Sequence, residues 1–173
     1  MVRAVGLLMV KNYPQAEANL EEIVRVRPDI AEAHFNLAWV RQQLGRHAQV
    51  VDAVLPGLAL RPAEIRGWLL LALSERELGR FADAEATYQA AVALAPEDPR
   101  VHLNAGILYD LYLQKPAEAL QHYRRYLELR KAPDPKVAGW IAVLERKVPK
   151  APEAADGRAA APPDPGNPAG GQR

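Results

Sequence analysis

Residues 65–96 read IRGWLLLALSERELGRFADAEATYQAAVALAP, and residues 31–62 read AEAHFNLAWVRQQLGRHAQVVDAVLPGLALRP. Set one above the other, both carry a Leu-Gly-Arg triplet at their middle (Gly45, Gly79) and both close on proline (Pro62, Pro96). A further proline at position 28 closes the preceding segment, so the spacing is 34 residues each time. On either side of the glycine, apolar residues recur at three- and four-residue steps, the period of an amphipathic helix. Glycine just past a helix end takes the left-handed conformation at no steric cost, and proline blocks continuation of the second helix. Each unit therefore reads as helix, tight turn, helix, stop. A fixed period of this length predicts a stack of helical hairpins, because one hairpin cannot bury its apolar face alone.

The composition agrees. Hydrophobic residues make up 49% of the 173, aromatics only 6%, and alanine and leucine predominate; that mixture favours close-packed helices over sheets. Lys plus Arg number 22 against 21 for Asp plus Glu, and this near balance argues against a nucleic-acid partner held through phosphate contacts. The absence of cysteine excludes a disulfide framework and thiolate metal ligation. No stretch approaches the roughly 20 apolar residues of a membrane-spanning helix.

The 34-residue hairpin resembles the tetratricopeptide repeat. Unit three carries the pattern best, with Trp68, Leu71, Ala72, Gly79, Phe81, Ala84, Tyr88, Ala91 and Pro96 at the family's positions. Unit two places His34, Leu37, Ala38, Gly45, His47, Val50, Val54, Gly57 and Pro62 there, departing in its second helix. Unit one supplies Tyr13, Ala16, Leu20, Ile23 and Pro28; unit four supplies His102, Gly106, Tyr109, Ala119, Tyr123 and Tyr126, with one residue inserted around Gln114–Pro116 and Lys131 in the proline slot. The expected fold class is all-α, a right-handed α-solenoid with repeats at about 1–28, 29–62, 63–96 and 97–131. Segment 134–148, with Val137, Trp140, Ile141 and Leu144 on one stripe, reads as a helix capping the last repeat. Residues 149–173 hold 17 Ala, Pro or Gly and no large apolar residue, the composition of a disordered tail. Pro56 inside the second helix of unit two removes a hydrogen bond to the Asp52 carbonyl and predicts a kink or an early stop.

Catalytic signatures are missing. The four histidines have no metal-ligand spacing, and Ser74 and Thr87, the only hydroxyl residues besides the tyrosines, have no base in register. His34 and His102 share a repeat position with Trp68, two repeats apart, and read as structural. A non-enzymatic chain without cofactor is the expectation. What the resemblance implies is a concave binding face lined by the first helix of each repeat. Those slots hold Phe35 and Trp39, Leu69 and Leu73, Leu103 and Ile107; Asn36 and Asn104 lie beside them, Arg66 and Arg100 at the helix starts, Arg76 further along. Family members that grip a C-terminal carboxylate use lysine and asparagine there. The apolar slots of this chain suit a protein or peptide ligand of another kind, an amphipathic helix or an extended apolar segment. The basic residues of unit four and the cap, Arg124, Arg125, Arg130, Lys131, Arg146 and Lys147, form no dense run and read as a solvated face, with a docking site for an acidic partner as the alternative. The sequence specifies no oligomeric state.

Two settings fit such a scaffold. With Met1 as the start, it is a cytoplasmic adaptor. The last repeat and cap are also similar to those of proteobacterial envelope proteins built from this repeat, pilotins among them. A periplasmic or outer-membrane-associated accessory protein is the alternative, its export signal lying upstream of the shortened first helix.

Overall fold

The computed structural model describes residues 12–148. Eight α-helices follow in order: α1 Tyr13–Val26, α2 Ala31–Gln43, α3 His47–Leu60, α4 Ile65–Glu77, α5 Phe81–Leu94, α6 Pro99–Ile107, α7 Pro116–Leu129 and α8 Pro135–Leu144. A π-helical turn, Leu108–Tyr112, extends α6. No strand occurs among the described residues. The expected first helix of unit one falls largely in residues 1–11, and the expected tail is 149–173; both lie outside the described residues.

The hairpins α2–α3, α4–α5 and α6–α7 stack in chain order, with α1 against α2 and α8 against α7. Two apolar clusters form the core. One joins Ala16 and Leu20 of α1 with Phe35, Ala38 and Val40 of α2, Val50 and Val54 of α3, and Leu70 and Leu71 of α4. The other joins Ala72 and Tyr88 with Ala105, Leu108, Ala119, Tyr123 and Tyr126, and with Val137 and Leu144 of α8. The capping role of α8 follows directly. Val137 and Leu144 are buried, and Trp140 meets Tyr123 in a tilted contact, 5.3 Å between centroids and 44° between planes. Burial of each aliphatic side chain contributes about 1.5–3 kcal/mol. Asp134 caps the helix by accepting from the Val137 N–H at 3.3 Å, and Glu145 at its far end pairs with Arg124 at 2.6 Å.

The repeat is also written in hydrogen bonds. His34 Nε2, Trp68 Nε1 and His102 Nε2 each reach the carbonyl of the proline six residues earlier, Pro28, Pro62 and Pro96, at 2.9, 2.7 and 2.9 Å. Histidine and tryptophan interchange at this slot because both carry a ring N–H at similar reach. Each bond ties the start of a hairpin to the stop of the one before.

Gly45 and Gly79 sit at φ +70° and +74°, the left-handed turn anticipated for them. In unit four that turn falls on Gln114, at φ +53°. The inserted residue is therefore not spent in the turn at Gln114–Pro116. It is absorbed upstream, where Leu113 N–H bonds to Leu108 C=O at 3.0 Å, a wider i to i−5 loop. Gln114 takes the glycine slot with a positive φ, while the following N–H, of Lys115, reaches Tyr109 C=O six residues back at 2.8 Å, against five for Arg46 and Arg80.

Pro56 does not stop α3, which runs on to Leu60 and matches the 14-residue length of α1, α5 and α7. The proline is exposed and so is Asp52; the carbonyl that loses its partner faces water, and tertiary packing carries the helix past the defect.

Candidate functional site

The slots 35, 69 and 103 are one repeat position, and the resemblance places all three on the concave face. The structure separates them. Phe35 is fully buried, not groove-lining. Its ring lies over Gly57 of α3 and Gly67 of α4; a Cβ there would approach Phe35 Cε1 to 2.8 Å and 2.6 Å. The two missing side chains make the hole that takes the ring. One repeat on, the corresponding slots hold Ala91 and Val101, both buried, and the next counterpart of Gly57 is Tyr126. With those holes filled, Leu69 and Leu103 stay partly exposed, packed on the flank of the second core cluster.

Polar residues repeat the division. Arg66 Nη2 donates to Glu32 at 2.7 Å and Nη1 to Asn36 Oδ1 at 3.2 Å, with its guanidinium 5.5 Å from the Phe35 ring centre. These bonds tie α4 to α2 across the surface of unit two, so Asn36 and Arg66 are joined to each other. In the next unit such bonds cannot form. Arg100 finds Arg66 in the slot of Glu32 and Leu70 in the slot of Asn36. It turns back to Asp98 instead, through Nη2–Oδ2 at 2.6 Å and Nε–Oδ1 at 3.0 Å. Asn104 likewise bonds within its own helix, to Arg100 C=O at 2.8 Å.

What remains open is a cleft of about 350 Å³ lined by Leu69, Pro99, Arg100, Leu103, Asn104, Tyr126 and Arg130. It brings together four of the residues expected in the groove: Leu69, Arg100, Leu103 and Asn104. Pro99, Tyr126 and Arg130 were not anticipated. Tyr126 carried a signal, an aromatic residue where units two and three have Gly57 and Ala91. Arg130 carried none, because its place depends on the hydroxyl of Tyr126 and on Asp134, to which Nη1 donates at 2.9 Å.

The other expected residues lie elsewhere. Trp39 is half-buried on the first core cluster and meets Tyr13 edge-on at 5.8 Å. Leu73 and Ile107, one repeat apart, are partly exposed further along α4 and α6. Arg76 lies 5.3 Å over the Tyr112 ring and pairs with Glu77.

Both acids behind the cleft are held ionised. The Arg100 hydrogen bond keeps the Asp98 carboxyl below the usual range, and Asp98 in turn raises Arg100. The Tyr126 hydroxyl, at 2.8 Å, holds Asp134 low, with Arg130 adding charge. On the far side of unit four His122 Nδ1 approaches His102 Nδ1 to 3.1 Å and its ring stacks on Tyr109. Burial, then His102, pushes His122 down to about 4. The Nε2 bond of His102 to Pro96 assigns its proton there, so His122 donates across the pair. The described residues contain no group of three or more His, Cys, Asp or Glu able to hold a metal, and no described helix is long and apolar enough to cross a membrane.

A stack of two-helix repeats with an open inner cleft defines a helical-repeat interaction fold. The tetratricopeptide repeat profile matches residues 7–53 and 69–135, and the chain belongs to that family. Proteins of this family are generally non-catalytic interaction scaffolds. No curated protein sequence matches the chain. Among solved structures it is similar to MamA, at 13% identity over 83% of each chain with a TM-score of 0.75. It is also similar to Pseudomonas aeruginosa PilF, at 28% identity over 83% of this chain and 65% of that one, TM-score 0.71. A third is the Yersinia enterocolitica type III secretion chaperone SycD in complex with a peptide of the translocator YopD, 19% identical over 67% and 92%, TM-score 0.62.

Proposed function

We propose that the protein is a non-catalytic scaffold that holds a segment of another polypeptide along the inner face of α4 and α6. The observation that carries this is the opening between units three and four. Leu69, Leu73, Leu103 and Ile107 remain partly exposed there in 34-residue register, beside a cleft large enough for a bulky side chain. Apolar surface left uncovered along one face is what a peptide or helix covers on binding. The SycD complex supports a peptide-binding role on this fold. Peptide display panned against the full chain tests it. Selected peptides should bind the wild type and lose at least tenfold affinity to a Leu73→Asp, Leu103→Asp variant with unchanged far-UV circular dichroism. Peptides that bind that folded variant equally well would remove the inner face from the mechanism.

A second reading, an accessory protein of envelope assembly, rests on the likeness of the last repeat and cap to those of pilotins and related envelope proteins, and PilF is among the similar structures. A periplasmic or outer-membrane-associated setting goes with it, a cytoplasmic one with a soluble adaptor. Fractionation of cells expressing the natural gene tests the difference, and recovery wholly in the cytosol would exclude the envelope reading.

A further inference from the structure

We infer that the cleft between α4, α6 and α7 selects an acidic segment carrying one bulky apolar side chain, which enters between Leu69 and Leu103 while its flanking carboxylates meet Arg100 and Arg130. This rests on the inner-face reading above and specifies the chemistry of the partner.

Three observations support it. First, the lining contains two arginines and no acidic residue. Second, the charges are arranged in depth. Arg100 is 61% exposed while its partner Asp98 is 17% exposed, and Arg130 is 34% exposed against 19% for Asp134. The cations front the solvent and the anions lie beneath. Third, those anions are committed to the fold. Asp98 Oδ1 accepts from the Arg100 N–H at 2.9 Å at the start of α6, and Asp134 Oδ1 caps α8. Each pairs with one part of its own guanidinium and is fixed there by the cap, so it cannot move to cover the rest of the group without uncapping a helix. Guanidinium groups take carboxylates in charge-assisted, two-pronged geometry, and each retains N–H donors beyond those its own aspartate uses. The apolar floor of Leu69, Leu103, Pro99 and the Tyr126 ring asks for a side chain of leucine or phenylalanine size, since about 350 Å³ exceeds what one small residue fills. An apolar anchor in a pocket with charged flanks is the usual division between affinity and selection at an interface.

The test uses the full chain and three blocked, fluorescein-labelled dodecapeptides read by anisotropy. One has a central phenylalanine among glutamates and serines. The second has every glutamate replaced by lysine, and the third has the phenylalanine replaced by alanine. The first should bind at least tenfold tighter than either of the others and weaken as salt rises from 50 to 300 mM. Arg100→Gln with Arg130→Gln should reduce its affinity about tenfold; Arg100→Gln alone, which leaves the Asp98 and Asp134 caps in place, should give a smaller loss in the same direction. Equal or tighter binding of the lysine peptide, insensitivity to both arginine variants, or no binding of the glutamate peptide would each overturn the inference. If display-selected peptides without acidic residues still depend on Leu73 and Leu103, the inner-face reading survives and only this assignment falls.

Discussion

Phe35 and Gly57 should be energetically coupled. In the native packing a methyl group at position 57 would sit 2.8 Å from Phe35 Cε1 and 3.1 Å from both Phe35 Cδ1 and His34 Cβ. Gly57→Ala alone therefore overpacks the α2–α3 contact, which typically costs about 1–3 kcal/mol, offset by about 1 kcal/mol from the better helix former. Phe35→Ala alone empties a site walled partly by glycine backbone. Such a wall has no side chains to relax inward, so the loss should lie near the upper end of about 3–5 kcal/mol for a buried aromatic. In the double variant the ring is gone. The new methyl then keeps only the 3.1 Å approach to His34 Cβ, and most of the helix preference becomes a gain. The double variant should be more stable than Phe35→Ala by up to about 1 kcal/mol, an interaction of roughly 1–3 kcal/mol across the cycle. Urea unfolding of the four proteins by circular dichroism at 222 nm measures it. Should Phe35→Ala be too unstable, Phe35→Leu replaces it with a smaller but same-signed coupling. Costs that add to within about 0.5 kcal/mol would refute the burial of Phe35 between the glycines and return it to the groove.

Two further changes follow from the geometry. Gln114→Gly should stabilise the chain by about 1 kcal/mol, because a non-glycine residue in the left-handed region costs about 1–2 kcal/mol and glycine gives back only part of that in unfolded-state entropy; a lowered urea midpoint would contradict the turn assigned here. His122 should make stability depend on pH. An ordinary imidazole titrates near 6.5, whereas burial and His102 push this one down to about 4. The unfolded chain then binds more protons between those values, so the contribution is whole above about pH 6.5 and is lost as pH falls toward 4. The full gap is worth about 3.5 kcal/mol at ~1.4 kcal/mol per pH unit, reduced to about 1–2 kcal/mol for a partly exposed ring. His122→Gln should flatten the profile in that window, and an unchanged slope would rule the histidine out.

Much of the architecture was legible before any coordinates. Pro28, Pro62 and Pro96, with Gly45 and Gly79 midway, specify hairpins because helix stops and left-handed turns are local backbone properties. The stripe Val137, Trp140, Ile141 and Leu144 marked the cap for a similar reason: helical periodicity shows a buried face. The site was legible only in part. Leu69, Leu103, Arg100 and Asn104 do meet, yet nothing in periodicity distinguishes Phe35 from Leu69. Both are apolar and occupy the same slot. Pro56 did not bring the early stop that was one of its two expected effects, since its local penalty is smaller than the packing that holds α3 together.

By itself, then, the chain determined a repeat of helix, turn and helix, its period and its cap, all of them set by interactions within a few residues along the backbone. Tertiary structure decided which slots stay open. Whether an apolar side chain sinks or remains at the surface depends on what the neighbouring helices place opposite it: glycines 57 and 67 for Phe35, filled positions for Leu69 and Leu103. Whether an arginine ties two repeats together or stays with its own helix start depends on what stands at the matching slot of the preceding repeat, Glu32 for Arg66 and Arg66 itself for Arg100, which pairs with Asp98. These are complementarities of volume and charge between segments about 20 to 35 residues apart, and no single helix contains them.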